Sequence, residues 1–362
     1  MNPISFAKNL LTRVKGRNPL EVAKFLELEL LGKHASSYCL HHPSHTLIEL
    51  TTRCNLRCGY CNQSDKTWQK EFGHQDMPFE MYQKIVPQLK GSKVLLLYNI
   101  GEPLLYKEIY QAIALAKKFI PDVRLTSNGL LWTPEVAKKL QEAGLTQMNV
   151  SIDSPDPEVM QRNRGADLSV IEEYIRQFGG SCNIPVETWS VINNIDAGSL
   201  ERLPEWASQF PAIKSLYFQL QNGVDSCNEA GIPALISPER FAELQSRVAE
   251  RCAYFGLKTN IAAIPFYADG YHQRQAKGIC KAPFTQLVAI NVKGELAPCC
   301  SFATHGLGNV AELGFKSTWN GNAMREWRKD MLNENYCEYC SNWCGYKQSK
   351  SITSIPIKLE VR

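Results

Sequence analysis

Six short runs rich in Val, Ile, Leu and Thr recur between His45 and Gln221, and a helical pattern separates each run from the next. The runs are Thr46–Leu50, Val94–Tyr98, Val123–Thr126, Gln147–Ile152, Val186–Ile192 and Ser215–Leu220. A strand followed by a helix and a second strand returns to its sheet in the same direction, because the helix carries the chain back along one face. Such crossovers are right-handed. The alternation therefore restricts the chain to the α/β class with parallel strands. Six units fall two short of the eight that close a barrel. We expect a partial, open (β/α)6 TIM-like barrel, with functional groups at the carboxyl ends of its strands.

Helix punctuation fits this reading. Asp76-Met77-Pro78 opens one helix, Thr133-Pro134-Glu135 opens another that Gly144 closes, and a third opens near Ser199. A polar cap followed by Pro in the first turn starts a helix, and Gly just past the end stops one. Ser237-Pro238 starts a further helix ending at Gly256, with Phe241, Leu244, Val248 and Cys252 on one face, so Cys252 belongs to the core. Ahead of the first strand, Asn18-Pro19 starts an apolar helix that Gly32 ends. The expected organisation is a helical extension over 1–45, the barrel over 46–269, a small cysteine-rich domain over 270–350 and a tail over 351–362.

Net charge is +4, from 40 basic and 36 acidic residues, too slight to mark a nucleic-acid or membrane surface. No apolar run reaches the roughly 18 residues of a membrane span. The stretch Met1 to Lys15 lacks the apolar core of a secretory signal. The expected location is the cytoplasm, where the thirteen cysteines stay reduced. Clustered thiols in a reducing compartment point to metal.

The first cluster follows the first strand directly: Glu49-Leu50-Thr51-Thr52-Arg53-Cys54-Asn55-Leu56-Arg57-Cys58-Gly59-Tyr60-Cys61. The spacing is C-x3-C-x2-C, at the expected mouth of the barrel. Three thiolates can hold three irons of a four-iron cluster and leave the fourth open to a chelating ligand. A structural zinc site wants four ligands, and no fourth lies near in sequence.

This segment resembles the signature of the radical S-adenosylmethionine (SAM) superfamily, including the aromatic Tyr60 before the last cysteine. The resemblance implies that Cys54, Cys58 and Cys61 ligate a [4Fe–4S] cluster. It implies further that SAM chelates the open iron and is split to a 5′-deoxyadenosyl radical, which takes hydrogen from a substrate. Other strand ends match in order. Asn99-Ile100-Gly101-Glu102-Pro103 resembles the family's Gly-Gly-Glu-Pro, which holds the SAM amine; Ile100 stands where the family has its first glycine. Thr126-Ser127-Asn128-Gly129 resembles the Thr-Asn-Gly segment at the nucleoside site. Ser151 and Asp153 are candidates for ribose hydroxyls or substrate. Arg164, in Asn163-Arg164-Gly165, resembles the arginine that pairs with the SAM carboxylate, and Asn193 or Asn194 is a candidate for the adenine.

In the second set, Cys280 is followed by thirteen residues, Gly294, four residues and Cys299, with Cys337-x2-Cys340-x3-Cys344 later. This resembles the SPASM domain, the auxiliary-cluster extension of radical SAM enzymes. A full SPASM domain has seven cysteines and two clusters. With six cysteines here, one auxiliary [4Fe–4S] cluster is expected, as in the shortened twitch version. The expected ligands are Cys280, Cys299, Cys337 and Cys340, with Cys344 in reserve and Cys300 a bystander. Cys227, beyond the sixth strand, is a candidate hydrogen donor to a product radical, against an inert loop cysteine. Cys182 reads as packing.

The expected function is hydrogen abstraction from a substrate, with a ribosomally made peptide favoured on family frequency. The alternative is a small molecule such as a sugar or aminocyclitol, oxidised by a radical SAM dehydrogenase. The family implies an electron donor such as flavodoxin or ferredoxin; neither membrane nor nucleic acid is an expected partner. A rival of another class is a zinc-bearing interaction protein, whose basic tail (Lys347, Lys350, Lys358, Arg362) touches nucleic acid.

Overall fold

The computed structural model describes residues 19–193, 197–220, 236, 238–264, 279–300, 306–337 and 340. All six expected strands form: β1 His45–Ile48, β2 Val94–Leu97, β3 Asp122–Ser127, β4 Gln147–Ser151, β5 Val186–Ile192 and β6 Ile213–Leu220. Neighbours pair in parallel from β1 through β6. Two-residue β7, Lys258–Thr259, adds a parallel edge beside β6. The short runs form strands because their apolar faces are buried: all four residues of β2 are covered, while β3 alternates buried and half-buried positions.

Helices separate the strands as expected. Thr133 caps Pro134–Ala143 by accepting from the Val136 N–H, and Gly144 ends it in the left-handed region. Asp156 and Asp167 cap Pro157–Arg164 and Leu168–Ser181 in the same way. Cys252 lies in the core of Pro238–Tyr254, and Cys182 is also buried.

The sheet does not stop at six strands. β8, Leu287–Ile290, pairs in parallel with β1, and β9, Leu296–Ala297, pairs antiparallel with β8. The order is β7-β6-β5-β4-β3-β2-β1-β8-β9. The cysteine-rich region thus begins as a continuation of the barrel sheet, across the boundary expected at 269/270. Sequence alternation missed β8 because it pairs with β1, at the far side of the sheet from β6 and β7, which precede it in the chain. A hairpin turn at Gly294 (φ +78°), whose N–H donates to the Asn291 carbonyl at 2.9 Å, joins β8 to β9. That left-handed turn explains the glycine five residues before Cys299.

The N-terminal helix Pro19–Leu31 packs on this same end. Asn320 brackets Cys39 with two hydrogen bonds of 2.9 Å, and the Trp319 indole donates to the His41 carbonyl at 2.9 Å. Arg328, fully buried, donates to the carbonyls of Pro283 (2.8 Å) and Ser37 (3.0 Å) and lies 3.9 Å over the Trp319 ring. No described helix is long and apolar enough to cross a membrane.

Candidate functional site

The cysteine loop leaves the carboxyl end of β1 and is tied down on several sides. Thr52 exchanges hydrogen bonds with Gln75, and Gln63 donates to the Thr52 carbonyl at 2.5 Å. Arg53 forms a fork on Asp76 (3.0 and 2.6 Å) and reaches the Leu105 carbonyl at 2.7 Å. Cys54, Cys58 and Cys61 are half-buried in this loop, and none of them is in a disulfide. The Leu56 N–H points at Cys54 Sγ at 3.5 Å. Burial pushes the Cys58 thiol up to about 11, against the pull of Arg164, and also raises Cys54. Thiols in this state do not ionise by themselves at neutral pH; a bound cation displaces their protons.

The Gly-Glu-Pro loop follows β2 and clasps the cysteine loop. A Cβ on Gly101 would collide with the Thr51 carbonyl oxygen, so only glycine lets the two backbones meet. The Glu102 N–H donates to the Arg53 carbonyl at 2.8 Å. Its carboxylate is buried and accepts from the N–H groups of Asn128 (2.8 Å) and Leu104 (3.2 Å). Burial pushes its pKa to about 7, although these donors and Ser127 pull it down. Ser127 also accepts from the Trp132 indole at 3.0 Å, and Asn128 donates to Asn55 of the cysteine loop at 2.7 Å. The expected Glu102, Ser127 and Asn128 thus meet beside the thiols. Glu49, at the end of β1, was not expected. It too is buried, accepts from the Ile100 N–H at 3.2 Å and is pushed by burial to about 7. Only its place beside the cysteine motif could have flagged it.

At the fourth strand end the arrangement differs from the expected one. Asp153 and Arg164 are both buried and pair with each other, Nε at 2.9 Å and Nη2 at 2.7 Å. The Tyr60 hydroxyl donates to the same carboxylate. The arginine therefore meets a carboxylate of this chain, and Asp153 is filled by protein donors rather than presented to a ribose. Burial works against the Arg164 charge, but Asp153, with Tyr60 and Cys58, raises its pKa above the ordinary arginine value. Ser151, half-exposed at the end of β4, stands opposite Trp189 of β5, and Asn193 is fully buried just past β5. Cys227, Cys344 and Asn194 lie outside the described residues.

The concave face carries a feature that sequence reading missed. Tyr98, just past β2, meets Trp189 of β5 with ring centroids 5.1 Å apart, and Trp189 stacks on Tyr217 of β6 at 4.8 Å. In a flat sheet β2 and β5 would stand about 14 Å apart, so this contact marks the curl of the barrel. Below the rings lies a polar belt. Glu187 accepts from Trp189 Nε1 (2.8 Å), Ser215 (2.6 Å) and Gln147 (3.2 Å), and Asn149 donates to Thr126 at 3.0 Å. Arg124 is spent on Asp122. Polar or aromatic residues at every second position, Asp122, Arg124 and Thr126 along β3 and Glu187 and Trp189 along β5, were the available signal.

In the second set, Cys337 and Cys340 lie 3.7 Å apart, sulfur to sulfur. The Cys340 thiol is raised by its hydrogen bond to Cys337, by burial, and by the charges of Cys337, Cys299 and Cys280. Of the four expected ligands, Cys337 and Cys340 are in contact, and the charges of Cys280 and Cys299 reach Cys340. Burial raises the Tyr98 and Tyr217 hydroxyls, and the charge of Cys300 adds to both. Among the described residues, no three His, Cys, Asp or Glu side chains close around a single metal ion. The donor sets fit iron–sulfur chemistry: all-thiol, three in one loop and four in the auxiliary region.

Two sequence-family models match the chain. One is the radical SAM superfamily over residues 48–192; the other is an iron–sulfur cluster-binding domain, SPASM, over residues 280–344. Among curated relatives, the chain is 38% identical over 135 residues to the GTP 3',8-cyclase of Aquifex aeolicus, covering 35% of this chain and 41% of that protein. It is 27% identical over 176 residues to a probable GTP 3',8-cyclase of Methanococcus aeolicus, covering 46% and 56%. The chain spans about half the length of the curated relatives it matches. Among solved structures, Streptococcus suis SuiB bound to its precursor peptide SuiA superposes with a TM-score of 0.65 at 16% identity, over 95% of this chain and 81% of that one. SuiB bound to S-adenosylmethionine gives 0.66, also at 16% identity, over 94% and 80%. At that identity the likeness is one of fold.

Proposed function

We propose that this member of the radical SAM superfamily, with its SPASM-type iron–sulfur extension, modifies a peptide by hydrogen abstraction. The observation that carries the reading is the half-buried thiol triplet Cys54, Cys58 and Cys61, clasped by a loop that offers the buried carboxylate of Glu102. A [4Fe–4S] cluster and SAM, when bound, supply the electron and the hydrogen-abstracting fragment. In our reading the three thiolates hold the cluster. Glu102 and the Gly101 backbone accept from the SAM amine, because an ammonium in a buried site needs acceptors. Ser127, Asn128, Ser151 and Asn193 line the nucleoside side. Tyr60, Asp153 and Arg164 hold the loop that carries Cys58 and Cys61.

We assign residues 46–269 to the barrel, 270–350 to the auxiliary region and Cys280, Cys299, Cys337 and Cys340 to one auxiliary cluster, with an external donor such as flavodoxin or ferredoxin. The peptide substrate draws support from the likeness in fold to SuiB, a protein crystallised with a precursor peptide. The aromatic wall Tyr98–Trp189–Tyr217 supports it too, since stacked rings above a satisfied polar belt present apolar area to a side chain. A second reading, a nucleotide substrate, has in its favour the GTP 3',8-cyclase relatives.

The test is anaerobic reconstitution followed by turnover with reductant and SAM. About eight irons per chain and release of 5′-deoxyadenosine are expected. Colourless protein with stoichiometric zinc overturns the reading. A short peptide encoded beside this gene and changed in mass on turnover supports the peptide; GTP consumed in its place overturns that part.

A further inference from the structure

The span from Cys58 to Cys61 is held by a buried lock distinct from the contacts that hold Cys54. Asp153 stands just beyond β4 and is fully buried. Arg164 donates to its carboxylate through Nε at 2.9 Å and Nη2 at 2.7 Å, and the Val191 N–H donates at 3.0 Å. The Tyr60 hydroxyl is the fourth donor. A carboxylate has about four lone-pair directions, so Asp153 is saturated by groups of this chain.

The same neighbourhood touches the loop twice more. The Gly59 N–H donates to the Asn163 carbonyl at 2.9 Å, and Cys58 Sγ points at the Arg164 carbonyl at 3.8 Å. The Arg164 guanidinium also lies 5.5 Å from the centre of the Tyr60 ring. Residues 58, 59 and 60 are therefore each tied to the helix Pro157–Arg164 or to Asp153 before it. Cys54 is anchored elsewhere, through its neighbour Arg53 on Asp76 and the Gly-Glu-Pro loop. For Asp153 or Arg164 to turn toward a ligand, each would have to leave the other buried and uncompensated, which is strongly unfavourable.

We propose that Asp153 is a positioning residue: through Tyr60 and Arg164 it fixes where Cys58 and Cys61 stand relative to Cys54, without itself touching the cofactors. The proposal rests on the reading that these thiols hold the cluster. Tyr60 is its most exposed test, because Tyr60→Phe deletes one hydroxyl and leaves Asp153 its other three donors.

The experiment compares the full chain with Tyr60→Phe, Asp153→Asn, the double variant and Cys58→Ala. It measures thermal unfolding, iron content, and the change that added SAM makes in the electron paramagnetic resonance spectrum of the reduced protein. Tyr60→Phe should fold and keep its iron; Asp153→Asn, which leaves the buried Arg164 charge without its carboxylate, should keep its iron but unfold at a lower temperature. SAM should bind each about tenfold more weakly, the effect of losing one bond to a buried charge. The double variant should match Asp153→Asn to within about twofold, since both changes remove the same link. Additive losses, near a hundredfold in the double variant, overturn the proposal. So does an unchanged SAM response in Tyr60→Phe. If Cys58→Ala alone loses the response, the positioning role fails while the cluster stands. A parent protein with no SAM-responsive signal overturns both.

Discussion

Cys54, Cys58 and Cys61 share one loop at the carboxyl end of β1, while Cys280, Cys299 and the Cys337–Cys340 pair come from three places, one ahead of β8, one just past β9 and one at the end of the described chain. The first set is tied by hydrogen bonds to groups beyond β2, β3 and β4: Arg53–Glu102, Asn55–Asn128 and Tyr60–Asp153. The second depends on packing between distant segments, with Arg328 joining residues 37, 283 and 319. The difference teaches that a three-thiol site can be built locally, by a loop clasped at several strand ends. A four-thiol site gathered from a long stretch needs the whole end of the molecule folded around it.

The largest effect should come from the local set. Cys58→Ala is expected to abolish 5′-deoxyadenosine release, measured by chromatography after anaerobic turnover, because two remaining thiolates do not hold a cluster with one open iron. Release at the parent rate would break the contrast at its root. Cys340→Ala should be milder: iron falls from about eight to about four per chain, some SAM cleavage persists, and modified product disappears. Equal loss of SAM cleavage in both variants would mean that the two sites are not independent.

The asymmetry in legibility has the same cause. The triplet, the Gly-Glu-Pro turn and the strand ends were readable because spacing within one loop, and strand order within an alternating α/β pattern, survive in sequence. The partial barrel was readable for the same reason: β1 to β6 bury apolar faces at short range. Pairing of β8 with β1 was not, since no local pattern announces a strand that returns across the whole chain. Asp153 was legible as a polar residue at a strand end, and Arg164 through the Asn163-Arg164-Gly165 element. Their mutual pairing was not, because only the folded chain brings them within 2.7 Å. Glu49, Glu187 and the stacked rings were hidden likewise, each resting on neighbours from other strands.

Packing dependence of the distal region gives a stability test. Arg328→Met should lower unfolding free energy by about 3 kcal/mol, through three carbonyl or amide acceptors losing their buried donor. Urea titration checks it, and iron loss should begin at the auxiliary set. A change below about 1 kcal/mol would show that the strut is dispensable.

The smallest effect per step of the titration concerns Glu102 in the cofactor-free protein. Burial lifts its pKa to about 7, above the roughly 4.3 of an unfolded glutamate. The native state then binds the extra proton between those values, so its contribution to stability is present below about pH 4 and is lost as pH rises through about 7. Glu102→Gln should flatten this fall, by on the order of 1 kcal/mol per pH unit within that window. Chemical denaturation at pH 5 and pH 7.5 measures it, with Glu49 leaving a residual slope of the same sign. An unchanged slope would mean that Glu102 keeps its charge when buried.

The most direct measurement is the electron paramagnetic resonance spectrum of the reduced, anaerobically reconstituted protein, recorded before and after adding SAM. The account predicts two iron–sulfur signals, of which one shifts with SAM and vanishes in Cys58→Ala, while the other is indifferent to SAM and vanishes in Cys340→Ala. A spectrum in which no signal responds to SAM would contradict it.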